Sequence, residues 1–128
     1  MPGYEASQYY GLPLNTTTTM GATGATTLVA APAAGSSIVL DSLRITLTTD
    51  TSSRTDIWIH AASLTASAIG RSYTSMTLTA ANGPTVVDKH YNPPLHLPSA
   101  TALLATLSIA AASTPGASIE VAYRIFTR

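Results

Sequence analysis

Cysteine is absent from this chain. That excludes disulfides and thiolate metal sites, and it leaves the redox compartment unreadable. Charge is almost as scarce: six Lys and Arg balance six Asp and Glu, for a formal net charge of zero, and charged residues make up only 9% of the 128. The cations, Arg44, Arg54, Arg71, Lys89, Arg124 and Arg128, are scattered along the chain. A phosphate-binding face needs them clustered, so nucleic acid is not an expected partner. Large aliphatics and the single Phe amount to roughly a fifth of the residues, close to the lower edge for a globular chain. Alanine supplies much of the 45% hydrophobic content.

Long apolar runs are lacking too. The longest, "ALLATLSIAAA" from Ala102 to Ala112, is too short to span a bilayer as a helix and meets Pro115 and Gly116 soon after. No membrane partner is expected. "MPGYEASQYYGLPL" has no basic segment followed by an apolar one, so it does not read as a secretory signal, and synthesis in the cytoplasm is the expectation. Disorder is not indicated, because disordered chains pair low hydrophobicity with high charge. A neutral chain with a thin core favours association, which implies that part of its surface is covered by copies of itself or by a partner.

What the chain does have is short alternating segments. Residues 1–20 hold Tyr4, Tyr9 and Tyr10, two prolines and the tract Thr16–Thr19, with no sustained period, and are read as an extended N-terminal arm. Such an arm is either a frayed end or a segment that orders on a neighbour, its tyrosines giving contact area at low entropic cost. Residues 21–128 are read as one β-sandwich domain. In "SIVLDSLRITL", Ile38 and Leu40 share one parity while Leu43, Ile45 and Leu47 share the other; the phase change near Asp41 predicts a bulge or a bend between sheets. "TDIWIHA" sets Ile57, Ile59 and Ala61 against Trp58 and His60. "SYTSMTLTA" puts Met76 and Leu78 opposite threonines, Asn82-Gly83-Pro84 reads as a turn, and "TVVDK" as a short strand.

"NPPLHLP" cannot lie in a central strand, because proline gives no ladder hydrogen bond. Leu103, Leu104, Leu107 and Ala110 would also fit a helical stripe, but the Thr, Ser and Ile among them favour a strand. "ASIEVAYRIF" alternates Ile119, Val121, Tyr123 and Ile125 against Glu120 and Arg124. The tally is about eight short strands with turns every 8–12 residues, hence an all-β antiparallel sandwich or small barrel. Trp58 and Phe126 give their strands a second apolar face. A monomeric sandwich would leave that face wet, so Trp58, His60 and Phe126 are the expected subunit interface.

Chemistry is sparse. His60, His90 and His96 have no short ligand spacing and read as surface or edge histidines. Asp41, Asp50, Asp56 and Asp88 form no calcium-loop pattern. No G-x-S-x-G nucleophile motif is present. Gly21, Gly24 and Gly35 are followed by no lysine and do not make a phosphate loop. Asn15-Thr16-Thr17 matches a glycosylation acceptor without a secretory context. Trp58, beside Arg54 and Asp56, could stack on a sugar if exposed, but more often such a ring anchors a core or an interface. Neither an enzyme nor a cofactor or metal site is expected.

The segments "TTLVAAPA", "AG" and "SIVLDSLRITL", with the later "PPLHLPSATAL" and terminal "ASIEVAYRIF", resemble small tailed-bacteriophage virion structural proteins over residues 22–127. The resemblance is one of strand and turn order, without a signature motif. It implies a jelly-roll-like sandwich, often trimeric, that serves as a capsid decoration (cement) protein or as a tail, fibre or neck module. It supplies no catalytic residues. On that reading the chain sits on the capsid surface of the virion, with itself and the major capsid protein as partners. Tyr4, Tyr9, Tyr10, Leu12 and Leu14 then form the capsid-contact arm, which is longer than such proteins usually carry.

Overall fold

In a computed structural model, the described residues are 11–20, 24–47, 55–62, 73–78, 85–107 and 117–127. They form eight strands: β1 (Leu14–Met20), β2 (Gly24–Val29), β3 (Ser36–Leu47), β4 (Thr55–Ala61), β5 (Thr74–Leu78), β6 (Thr85–His96), β7 (Leu103–Leu107) and β8 (Ala117–Thr127). One sheet runs β1-β8-β3-β6 and the other β2-β7-β4-β5, with every described pairing antiparallel. Every connection except β4–β5 crosses from one sheet to the other. This interleaving is the eight-stranded jelly roll. The turn Asn82-Gly83-Pro84 lies outside the described residues.

The arm expected over residues 1–20 needs correction at its C-terminal end. Leu14–Met20 is β1, matched residue for residue with β8 from Leu14↔Tyr123 to Met20↔Ala117. Threonines hide the strand from a reading based on apolar alternation, yet their branched Cβ suits a pleated edge well. "NPPLHLP" ends β6, which is an edge strand, and the Asn92–Pro93 bond is cis. β6 pairs with β3 from Leu47↔Thr85 to Ser42↔His90, then resumes at Leu40↔Leu95, so Tyr91–Pro94 stands out of the ladder. β7 is a strand and not a helix: it lies between β2 and β4, with Leu103, Ala105 and Leu107 buried on one parity.

The phase change in β3 is a bulge. Leu40 faces Tyr123 and Ser42 faces Ala122, so Asp41 has no partner of its own on β8. The extra residue swings Leu43 and Ile45 to the same side as Ile38 and Leu40, and all four enter the core. Asp41 then binds across to β8: Arg124 donates to its carboxylate from Nη2 at 2.7 Å and from Nε at 3.0 Å. The turn before β3 places Gly35 at φ 84, in the left-handed region, and Ser36 N donates to Ala33 O at 3.0 Å.

Both sheets fill one core. Ile38, Leu40, Ile45, Ile57, Ile59, Leu103, Leu107 and Ile119 are its largest fully buried apolar side chains. On the β5/β6 side a hydrogen bond ties the sheets, with the Tyr91 hydroxyl donating to Tyr73 O at 3.3 Å. Burial, and second the neighbouring Tyr73, push the Tyr91 phenol up to about 12.

Two outcomes follow. Ile45→Ala removes a side chain from a site with no exposure and should cost about 2–5 kcal/mol, read as a lower urea midpoint with an unchanged slope. Tyr91 holds its proton in the fold at pH values where the unfolded chain, near 10, has already released it. Its contribution is therefore complete below pH 10 and declines as pH rises towards 12. Denaturant titrations across that window should show Tyr91→Phe falling less steeply than the parent chain.

Candidate functional site

The described residues expected to make contacts lie on three elements: Leu12 and Leu14 at β1, Trp58 and His60 on β4, and Phe126 on β8. Tyr4, Tyr9 and Tyr10 lie outside the described residues. Leu12 is 80% exposed and Leu14, at the start of β1, 42% exposed. These two and Val86 are the exposed large hydrophobics among the described residues. Leu12 and Leu14 mark an apolar lip at the β1 edge of the β1-β8-β3-β6 sheet, and Val86 stands on its opposite edge, β6.

Trp58 and His60 require a correction. Both stand on the outer parity of β4, as the alternation required, but they are only 7% and 1% exposed in the single chain. Around Trp58, His60 and Thr106 the outer face of this sheet is buried within the single chain, so these two side chains are not free to meet a neighbouring copy, while Ser75 and Thr27 stay exposed. His60 is accordingly not a surface or edge histidine. Its Nδ1 lies 2.9 Å from Ala61 O and its Nε2 2.7 Å from Thr106 Oγ1. A carbonyl only accepts, so Nδ1 carries the proton there, and in the neutral ring Nε2 accepts from the Thr106 hydroxyl. Thr106 is buried beside it. Trp58 Nε1 is buried with no hydrogen-bond partner among the described residues.

Phe126 is half-buried on the outer face of β8 and meets the exposed His96 edge-on, ring centroids 5.9 Å apart. Both line an open cleft of about 340 Å3 with Gly35, Ser37 and Pro98, where β3 begins and β6 and β8 end. A shallower hollow of about 200 Å3 lies midway along the same face, among Asn15, Ser42, Arg44, Asp88, His90 and Glu120. Arg44 Nε and Asp88 are 3.7 Å apart there, both more than half exposed, and such a pair contributes little stability. Among the described residues no three His, Asp or Glu side chains stand close enough to hold a metal ion.

Several contacts escaped the sequence reading. The phase change pointed to Asp41, but nothing in the alternation of β8 named Arg124 as its partner. The His60–Thr106 pair had no signal at all, since a strand histidine on an outer parity reads as wet. The cleft joins three strand ends that are far apart in sequence.

The His60 arrangement is open to measurement. Thr106→Val keeps the shape and strands Nε2 without a donor, so it should destabilise the fold by about 1–3 kcal/mol in chemical denaturation.

No family model matches the sequence, and no curated protein matches it. Solved structures do resemble the fold. A chain from the acidic stable capsid structure of Helicobacter pylori bacteriophage KHP30 superimposes with a TM-score of 0.60 at 15% identity, covering 90% of this chain and 89% of that one. A chain of the cyanophage Pam1 capsid asymmetric unit gives 0.44 at 17% identity, with 94% and 88% covered. The C-terminal domain of EclA, a sugar-binding protein, gives 0.37 at 12% identity, with 89% and 76% covered. The first of these shares the fold nearly end to end; the other two are too distant to support an argument. The protein is an all-β jelly-roll sandwich, similar in fold to a chain of a bacteriophage capsid structure.

Proposed function

We propose that this protein is a virion structural protein, a capsid decoration (cement) protein that binds as a homo-oligomer, a trimer, between capsomers of the major capsid protein. The observation that carries the reading is the match in fold to a chain of the KHP30 capsid structure, with about nine-tenths of both chains covered. The surface agrees with it. The net charge is zero and the exposed faces are rich in threonine and serine, while Leu12 and Leu14 stay open at one edge. A cement protein needs a rigid body and many weak contacts, and it needs no chemistry of its own. Binding the assembled shell and not the dispersed subunits stabilises the shell by about 2.7 kcal/mol per site at a hundredfold excess over Kd. Repetition over a capsid makes that decisive.

In this role the segment ahead of β1, with Tyr4, Tyr9, Tyr10 and Leu12, is the capsid-contact arm, and Leu14 extends it onto the sheet. A tail, fibre or neck module that binds a glycan is the other reading of the same fold. It drew on Trp58 as the stacking ring, and a ring only 7% exposed cannot serve.

Particles stripped of the protein should rupture at a lower temperature than decorated ones, and adding it back should restore them. Removing residues 1–13, which leaves every strand intact, should lower particle binding at least tenfold while circular dichroism keeps the β spectrum. Equal rupture temperatures with and without the protein would defeat the proposal.

A further inference from the structure

The sandwich has four edge strands, and they are not guarded alike. β6 carries exposed Asp88, Lys89 and His90 and breaks its ladder at Tyr91–Pro94. β5 has only five residues. β2 has six, with a register break between Thr27 and Val29. Charge, proline, a bulge and short length are the devices that keep one sheet edge from pairing with another. β1 has none of them. Its seven residues, LNTTTTM, pair one for one with β8 without a bulge, and the strand holds neither charge nor proline. The neighbourhood is equally bare: no Asp, Glu, Lys, Arg or His occurs from Ala6 to Leu40, a span that includes all of β1 and β2. Among the described residues β8 is the sole neighbour of β1, so alternate backbone N–H and C=O groups of β1 point outward with no ladder to join.

We propose that the outer edge of β1 pairs antiparallel with β1 of a second copy, about a two-fold axis at Thr17. The two β1-β8-β3-β6 sheets would join into one of eight strands. The occupant follows from the strand's own sequence. Full overlap sets Leu14 opposite Met20, Asn15 opposite Thr19, Thr16 opposite Thr18 and Thr17 opposite itself. A two-fold contact brings a charge near its axis close to its own copy, so a lysine or aspartate at Thr16, Thr17 or Thr18 would repel itself, and the strand has neither. Threonine pairs well with threonine across strands. Leu14, 42% exposed in the single chain, would be partly covered at the end of the paired strand, beside a Met20 that is itself already only 5% exposed in its own core. The contact closes at two chains and does not depend on the capsid reading; in a trimeric cement protein it would be a separate interface, linking one trimer to the next.

The absence of native cysteine makes the test direct. In Thr17→Cys the two thiols sit on directly opposed residues, whose Cα atoms are about 4.5–5.5 Å apart in an antiparallel pair, within disulfide reach. Mild oxidation should give a two-chain band on a non-reducing gel. Asn15→Cys alone should not cross-link, since its copy lies four residues away, about 13 Å; mixed with Thr19→Cys it should. Thr17→Lys should lower the mass found by light scattering, by half where the parent chain is a dimer and to that of the single trimer where trimers are linked, and Val86→Lys on the β6 edge should leave it unchanged. Equal cross-linking at positions 15, 17 and 19, no cross-link at 17 in a natively folded sample, or the same mass for Thr17→Lys and the parent chain would each overturn the proposal.

Discussion

The sandwich depends on one inserted residue. Without Asp41 the two halves of β3 would be out of phase, and either Ile38 and Leu40 or Leu43 and Ile45 would face away from the core. In a chain where large apolar side chains are so few, losing two of these four would leave too little to seal two sheets against each other. The bulge restores the phase. It also leaves Asp41 without a place in the ladder, and the Arg124 fork on β8 takes up that carboxylate. Both side chains are only partly exposed, so the pair is less screened than a surface bridge. The central β3–β8 pairing therefore carries the register and also the clamp that holds its irregular step.

The second sheet handles scarcity differently. Its inner parity feeds the common core through Ile57, Ile59, Leu103, Ala105 and Leu107. Its outer parity also buries Trp58, His60 and Thr106. The thin interior inferred from composition is thus supplemented by a further buried row on the far side of one sheet. That row is polar enough to need its own hydrogen bonds, and among the described residues His60 makes two while Trp58 Nε1 finds none. Among the described residues the exposed large apolar side chains lie elsewhere, at Leu12, Leu14 and Val86.

Alternation made much of this legible. β3, β4, β7 and β8 could be read from the parity of Ile, Leu and Val, and the bulge from a break in that parity, because a half-buried strand must repeat every second residue. Proline placed β6 at an edge for the same reason it fails in a ladder. β1 was missed because threonine signals no burial, although its pairing with β8 is unbroken. His60 and Trp58 were assigned to the right side of their strand and the wrong environment. Parity tells which side of a sheet a side chain faces, but whether that side is covered depends on chain distant in sequence. The His96–Phe126 cleft was illegible for the same reason, since it assembles from three strand ends.

Edges show how such a fold can limit association to one direction. A jelly roll leaves four edge strands open, unlike a closed barrel, so each must be blocked or used. Here charge is withheld from one side of the molecule and placed on the other: Asp88, Lys89 and His90 stand on β6, while β1 and β2 hold only neutral residues. In so neutral a chain this asymmetry cannot come from a general abundance of charge. Electrostatic repulsion and proline discourage pairing at β6, while hydrogen-bonding capacity and threonine packing favour it at β1. Contacts would then form in one direction and a fixed register, which is what ordered assembly requires and what a uniformly sticky surface would prevent.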